Sequence, residues 1–186
     1  MEKFGDPGFE YHKLTAQILA LLLLDLADRE ILPFDFEVYA DTIHDEIERI
    51  EKYTNPIHYL DYSTLHTAAN ELSANAKKFH EWSQMWANTV YGAGGGFESR
   101  AMAIKRMSHN TRMGNFETNL LDVEGGLEGR EQYKHVLMAP QRWDGYGTSF
   151  FPAVVDSIED GNWDAAQQQI EKISRIVAYA AEKLIH

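Results

Sequence analysis

Cysteine is absent from this 186-residue chain, so it has neither a disulfide framework nor a thiolate metal site, and the absence alone leaves the compartment open. No Asn-x-Ser/Thr sequon occurs, which leaves glycosylation silent on secretion. Basic residues are scarce: 17 Lys and Arg stand against 29 Asp and Glu, for a formal net charge of −12. A surface of that sign repels phosphate backbones and anionic head groups, which argues against nucleic acid and membrane surfaces as partners. The apolar run from Ile18 to Leu24 has seven residues and stops at Asp25, well short of the ~20 that cross a bilayer. It reads as a buried helix segment. Glu2 and Asp6 precede that run without a basic stretch, which disfavours a signal peptide.

Several catalytic signatures are missing as well. A di-iron bundle needs Glu-x-x-His on two helices, and no Glu here is followed by His at the third position. His-Glu-x-x-His, His-x-x-x-His and Gly-x-Ser-x-Gly are absent, so the usual helical zinc and serine-nucleophile patterns fail. The glycine-rich stretch from Gly92 to Gly96 lacks the Lys-Ser/Thr ending of a phosphate loop and reads as a flexible connection. His44 and Glu48 could grip a metal from one helix face, but Asp45, Glu46, Arg49 and Glu51 crowd that helix and favour a solvated face. His109 between Arg106 and Arg112 could bind an anion, with a surface cluster the simpler reading. Met102, Met107 and Met113 recur at roughly helical spacing, which favours core filling over a soft-metal box.

What remains is a globular composition, 44% hydrophobic and 25% charged, of a length that suits one domain over residues 1–186. Asp6-Pro7 is a helix start, with Asp accepting an orphan N–H and Pro at the first turn, and predicts a helix over about 7–28. Its middle, Ala16 to Leu26, is apolar nearly all round, the pattern of a helix packed centrally. Leu32-Pro33 breaks it, and Asp35 is placed to cap a second helix carrying Phe36, Tyr39, Ile43, Ile47 and Ile50. After Asn55-Pro56, Asp61 can cap a third over about 62–90, with Leu65, Ala69, Leu72, Ala76, Phe79 and Trp86 on one stripe. A fourth is expected from about Glu98 to Leu121, using Ala101, Ile104, Met107, Met113, Phe116 and Leu120, until Gly125-Gly126 stops it.

Residues 127–152 then read as irregular, with Ala139 extended before Pro140. A short helix begins near Pro152, and a last one runs from Trp163 with Ala166, Ile170, Ile173, Val177, Ala180 and Leu184 on a heptad-like stripe. Each large apolar side chain on it stabilises by about 1.5–3 kcal/mol if buried, so this helix needs a partner surface, core or dimer. The fold class is all-α: an antiparallel four-helix-type bundle with an additional short helix and one long irregular crossover loop. Within that loop, Gly145 and Gly147 flank Tyr146, with Trp143 and Asp144 just before. Such a loop lets backbone approach a ligand while presenting an amphipathic ring, although Phe150-Phe151-Pro152 is most simply a loop pinned to the core.

E-K-F-G-D-P-x-F-x-Y-H at the start, L-P-F-D at 32–35, Y-K-H-V-x-x-A-P at 133–140, Tyr146, Phe151-Pro152 and the final helix occur in a telling order. Together they resemble the transferrin-receptor-like dimerisation domain that closes glutamate carboxypeptidase II and its relatives. The resemblance implies a homodimerisation domain without catalysis of its own, a truncation of a larger zinc peptidase whose metal ligands lie in a preceding domain. It implies two partners, a second copy and that peptidase domain, and a parent anchored on the luminal, vacuolar or extracellular side of a membrane. It also implies that the loop from Arg142 to Ser149 reaches the parent's substrate pocket, with Tyr146 placed to hold a terminal carboxylate. Gly145 stands where glutamate-specific relatives carry a lysine, which removes a charge-assisted bond. A non-catalytic adaptor or receptor domain is the alternative, and a freestanding metal-dependent hydrolase a weaker one.

Overall fold

The computed structural model describes residues 3–93 and 95–186. Glu2 of the first motif and Gly94 of the glycine connection lie outside the described residues. The chain divides into two compact units, Met1–Phe34 and Asp35–His186.

In the first unit a short 3-10 turn, Pro7–Phe9, precedes α1, Glu10–Asp28. The helix therefore starts later than Asp6-Pro7 predicts, because Gly8 at φ 73° and Phe9 at φ 57° turn the chain left-handed first. Phe9, not Asp6, is the N-cap residue of α1, but the Asp6 side chain still reaches the first turn. Its carboxylate accepts from the backbone N–H groups of Tyr11 at 3.0 Å and His12 at 2.9 Å, and it also holds the His12 ring. Burial alone would raise the Asp6 carboxyl, but these His12 and Tyr11 bonds hold it below the usual carboxylate range. The apolar middle of α1 predicts a buried helix, yet no residue of α1 is buried and Leu23 is 68% exposed. Its own unit, one helix and one turn, has no second layer to cover it.

The second unit begins as predicted. Asp35 Oδ1 accepts from Glu37 N at 2.9 Å and Val38 N at 3.3 Å, capping α2, Phe36–Thr54. Asp61 Oδ1 takes Ser63 N at 2.9 Å ahead of α3, Ser63–Ala87, and the six apolar residues expected on its stripe are all buried. Links between His44 and Ser73, Glu51 and His66, and Thr54 and Tyr62 fall in reverse order along the two helices, so α2 and α3 run antiparallel.

α4, Arg100–Asn115, is followed by a 3-10 turn, Glu117–Leu120, so the helix expected to reach Leu121 ends earlier. Only His109 and Met113 of α4 are buried, while Ile104 and Met107 are 59% and 64% exposed. One end of α4 meets the core, which is why a stripe spaced along its whole length is half wasted. Met113 fills core as expected and Met107 does not. His109 belongs neither to a surface cluster nor to an anion site. It is 1% exposed, stacked on Phe79 with centroids 3.6 Å apart, and linked through Nε2 to Ser83 Oγ at 2.8 Å. Burial, with Arg112 nearby, lowers its pKa to about 4, so the ring is neutral.

The connection from Leu121 to Leu137 is held by Asp122, whose carboxylate accepts from Gly125 N at 3.2 Å and Gly126 N at 3.0 Å and pairs with Lys172. Gly126, at φ 137°, passes so close to Glu131 O that a Cβ there would lie 2.5 Å from it. The stretch read as irregular then contains a small antiparallel hairpin, β1 Met138–Pro140 with β2 Thr148–Phe150, in the register Ala139 to Ser149. α5, Pro152–Glu159, turns at Gly161 into α6, Trp163–Ile185, on which it packs. Ala166, Ile170, Ile173, Val177, Ala180 and Leu184 are each at most 1% exposed, and α6 packs chiefly along α3.

Asp61 pairs reciprocally with Gln167, at 2.8 and 3.1 Å, Thr64 with Ser174 at 3.1 Å, and Asn75 Nδ2 donates to Ala181 O at 2.9 Å. These links rise together along both helices, so α3 and α6 run in the same direction. A parallel pair needs a long return segment, and residues 88–162 supply it.

Ile170→Ala should lower unfolding free energy by about 2–5 kcal/mol, whereas Leu23→Ala should change it by less than about 0.5 kcal/mol, as read by urea denaturation. The unfolded chain binds the His109 proton more tightly than the folded one, so stability falls as pH drops from about 6.5 toward 4. Between pH 7 and pH 5 the loss should be about 2 kcal/mol, and His109→Phe should remove it.

Candidate functional site

In the hairpin the loop residues expected from the sequence and an unusual local structure coincide. Its base is rigid for identifiable reasons. Arg130 donates to Pro140 O at 2.8 Å and to Asp156 Oδ2 at 2.6 Å, tying β1 to α5. Phe151 N donates to Leu137 O at 2.9 Å, and the Phe151 ring is 1% exposed. Phe151 accepts a left-handed backbone at φ 48° to make that corner, a strained conformation held by the burial of its side chain.

The tip closes between Gln141 and Gly147, where Gln141 N donates to Gly147 O at 2.9 Å. Asp144 Oδ1 accepts from Tyr146 N at 3.0 Å and Gly147 N at 3.2 Å, an Asx turn that fixes the backbone around Tyr146. Gly145 sits at φ 68°, where an L side chain is strained, and a Cβ on Gly147 would lie 2.5 Å from the Gln141 side chain. Trp143 Nε1 donates to Glu159 Oε2 at 3.0 Å, and Arg142 donates to Asp160 Oδ1 at 2.7 Å while lying over the Trp143 ring. Asp160 in turn holds the Arg142 guanidinium above its ordinary pKa. Tyr146 itself is 99% exposed.

Trp143, Asp144, Gly145, Tyr146 and Gly147 are thus on one ordered loop that projects a phenol into solvent. Chemically this tip can stack on a ligand or donate one O–H hydrogen bond. It carries no nucleophile beside a base. Next to its base a groove of about 340 Å³ runs between α2 and α5, lined by Ile50, Tyr53, Phe150, Val155 and Ile158 with Glu46 and Arg49 at its edge. The other expected residues, Ile170, Ile173, Val177 and Leu184, lie in the core on α6.

His44 and Glu48 are not aimed at a common point: His44 Nε2 is 3.2 Å from Ser73 Oγ, and Glu48 accepts from Lys52 at 3.0 Å. Among the described residues no group of three or more His, Cys, Asp or Glu is arranged to hold a metal ion. The Arg130 to Asp156 anchor was invisible in the sequence, because residues 26 apart with no shared period carry no local signal.

The chain is 34% identical over 188 residues to "Probable glutamate carboxypeptidase LAMP1" of Arabidopsis thaliana, covering 97% of this chain and 25% of that protein. It is 30% identical to "Probable glutamate carboxypeptidase" of Arthroderma benhamiae, covering 97% of this chain and 24% of that one. A Schizosaccharomyces pombe protein named an inactive zinc metalloprotease is 24% identical over 94% of this chain and 21% of its own length. The chain therefore spans about a quarter of the length of the curated relatives it matches. Residues 60–185, from the approach to α3 through α6 and including the hairpin, match the transferrin receptor-like dimerisation domain, and the chain belongs to that family.

Proposed function

We propose that this chain is the homodimerisation domain of a glutamate carboxypeptidase-like zinc peptidase relative, and that its hairpin also completes the parent's substrate pocket. The observation that carries the reading is the contrast within the hairpin. Its base is fixed by Arg130, Asp156 and Phe151, while Tyr146 stands 99% exposed on a tip ordered by Asp144. A fully exposed aromatic on a rigid loop has nothing among the described residues to cover it, which suits a side chain delivered to a neighbouring domain. There the phenol would donate to a substrate carboxylate. Gly145 offers no cation beside it, and Arg142 is engaged by Asp160, so the carboxylate would be held here by a neutral donor. The metal and the hydrolytic chemistry belong, in this reading, to residues outside the chain.

Two-fold pairing of the domain would bury about 2,000 Å² or more in total. Light scattering on the chain at high micromolar concentration should give twice the 21.3 kDa monomer mass. A strictly monomeric species counts against self-association, and binding to an unlike helical partner instead would favour an adaptor. In the longer parent, Tyr146→Phe should raise KM roughly tenfold for a substrate with a free terminal carboxylate and leave kcat nearly unchanged. Unchanged kinetics would make the loop a structural corner only.

A further inference from the structure

Two Asp-Gly steps occur in the chain, Asp144-Gly145 at the hairpin tip and Asp160-Gly161 between α5 and α6. A backbone step of this kind is open to attack on its own side chain, because glycine has no Cβ to keep its nitrogen away from the carboxyl carbon of the preceding aspartate. The two steps share that sequence and differ in structure. Gly161 N donates to Ile158 O at 2.9 Å, and Asp160 Oδ1 is held by Arg142 at 2.7 Å, so both reacting groups are engaged elsewhere. Gly145 N has no acceptor among the described residues. Asp144 Oδ1 accepts from Tyr146 N at 3.0 Å and Gly147 N at 3.2 Å, which turns the carboxyl toward the amides that follow it and polarises the Cγ–Oδ1 bond. Its Oδ2 has no partner among the described residues and is the oxygen free to leave. Nothing lies within 4 Å of where a Gly145 side chain would begin, so the peptide plane has room to turn.

We propose that Asp144-Gly145 is a site of self-modification, where Asp144 rearranges through a cyclic imide to isoaspartate far faster than Asp160 does in the same folded chain. Gly145 N attacks Cγ of the protonated Asp144 carboxyl. A bond forms between that nitrogen and Cγ, the Cγ–Oδ2 bond breaks, and Oδ2 departs as water with its own proton and the one lost by the amide. The imide then takes up a water. Opening at Cγ restores aspartate, whereas opening at the former main-chain carbonyl leaves the chain running through Cβ and Cγ, with a free carboxyl on Cα. Nothing is oxidised or reduced, and the net reaction consumes no water. Isoaspartate abolishes the Asx turn, since the oxygen that accepts from Tyr146 N and Gly147 N then belongs to a lengthened backbone. The change therefore acts on the residue that fixes Tyr146 and leaves the base of the hairpin, held by Arg130, as it was. It is a reaction of this chain alone and goes beyond the pocket reading.

Peptide mapping of the aged chain tests it. The whole chain is held at neutral pH and body temperature, folded and in parallel in urea, then digested with a protease that cuts before aspartate but not before isoaspartate. Mass spectrometry with fragmentation that separates the two isomers reads each site. In the folded chain isoaspartate should accumulate at Asp144 at least roughly tenfold faster than at Asp160, and in urea, where neither step keeps its structure, the two rates should come within about threefold. Asp144→Glu, whose longer side chain does not close the same ring, should abolish the change at that step and leave Asp160 unaltered. Equal rates at the two sites in the folded chain would mean that sequence alone sets the reaction, and would overturn the proposal. So would faster change at Asp160, or an Asp144 that stays intact in the folded chain, since the turn would then shield the carboxyl. The kinetics of Tyr146→Phe in the longer parent read pocket completion separately, so the two proposals fail independently.

Discussion

The parallel packing of α6 along α3 is the constraint from which the rest of the second unit follows. Six apolar residues of α6 disappear against the core, and polar links from Asp61, Thr64 and Asn75 fix the register in which they do so. Each large side chain among them stabilises by about 1.5–3 kcal/mol before conformational entropy is set against it. Because the two helices run in the same direction, the chain must travel back the full length of the bundle between them. That return is where the irregular connection, the hairpin and α5 are built. Asp122 with Lys172 and Arg130 with Asp156 fasten it down, so a segment poor in regular structure is nonetheless ordered.

Periodicity made the apolar helices legible wherever a helix buries one continuous face. The stripes of α2, α3 and α6 could be read from spacing alone, and Asp35 marked a helix start because its carboxylate satisfies orphan N–H groups locally. α4 resisted the same reading because only its last turns meet the core, which left Ile104 and Met107 wet and took His109 inside. A histidine between two arginines looks like surface in one dimension. Only the stacking of Phe79 and Trp82 on its ring reveals a neutral, buried aromatic. The start of α1 was misplaced for a different reason, since Gly8 and Phe9 adopt left-handed backbone that no hydrophobic pattern encodes.

The hairpin shows how far a candidate site can be anticipated. Gly145, Tyr146 and Gly147 stood out as a loop that could present a ring, and the resemblance gave the tyrosine a role. What could not be read was the set of long-range bonds that make the loop stiff, which join residues far apart in the chain. In the proposed reading stiffness matters, because a donor held in place costs less ordering entropy when a ligand arrives. The family assignment and the fold agree on a helical module made to be built upon. The proposed pocket completion would use Tyr146, which this chain leaves exposed.

The account stands on Asp35–His186 being a self-contained bundle clamped by α3 and α6. Limited proteolysis followed by mass spectrometry of the 186-residue chain tests that most directly. Early cuts should fall before Asp35 and leave a resistant fragment in which α3 and α6 are whole. Cleavage within α3 or α6 as fast as in α1 would contradict it.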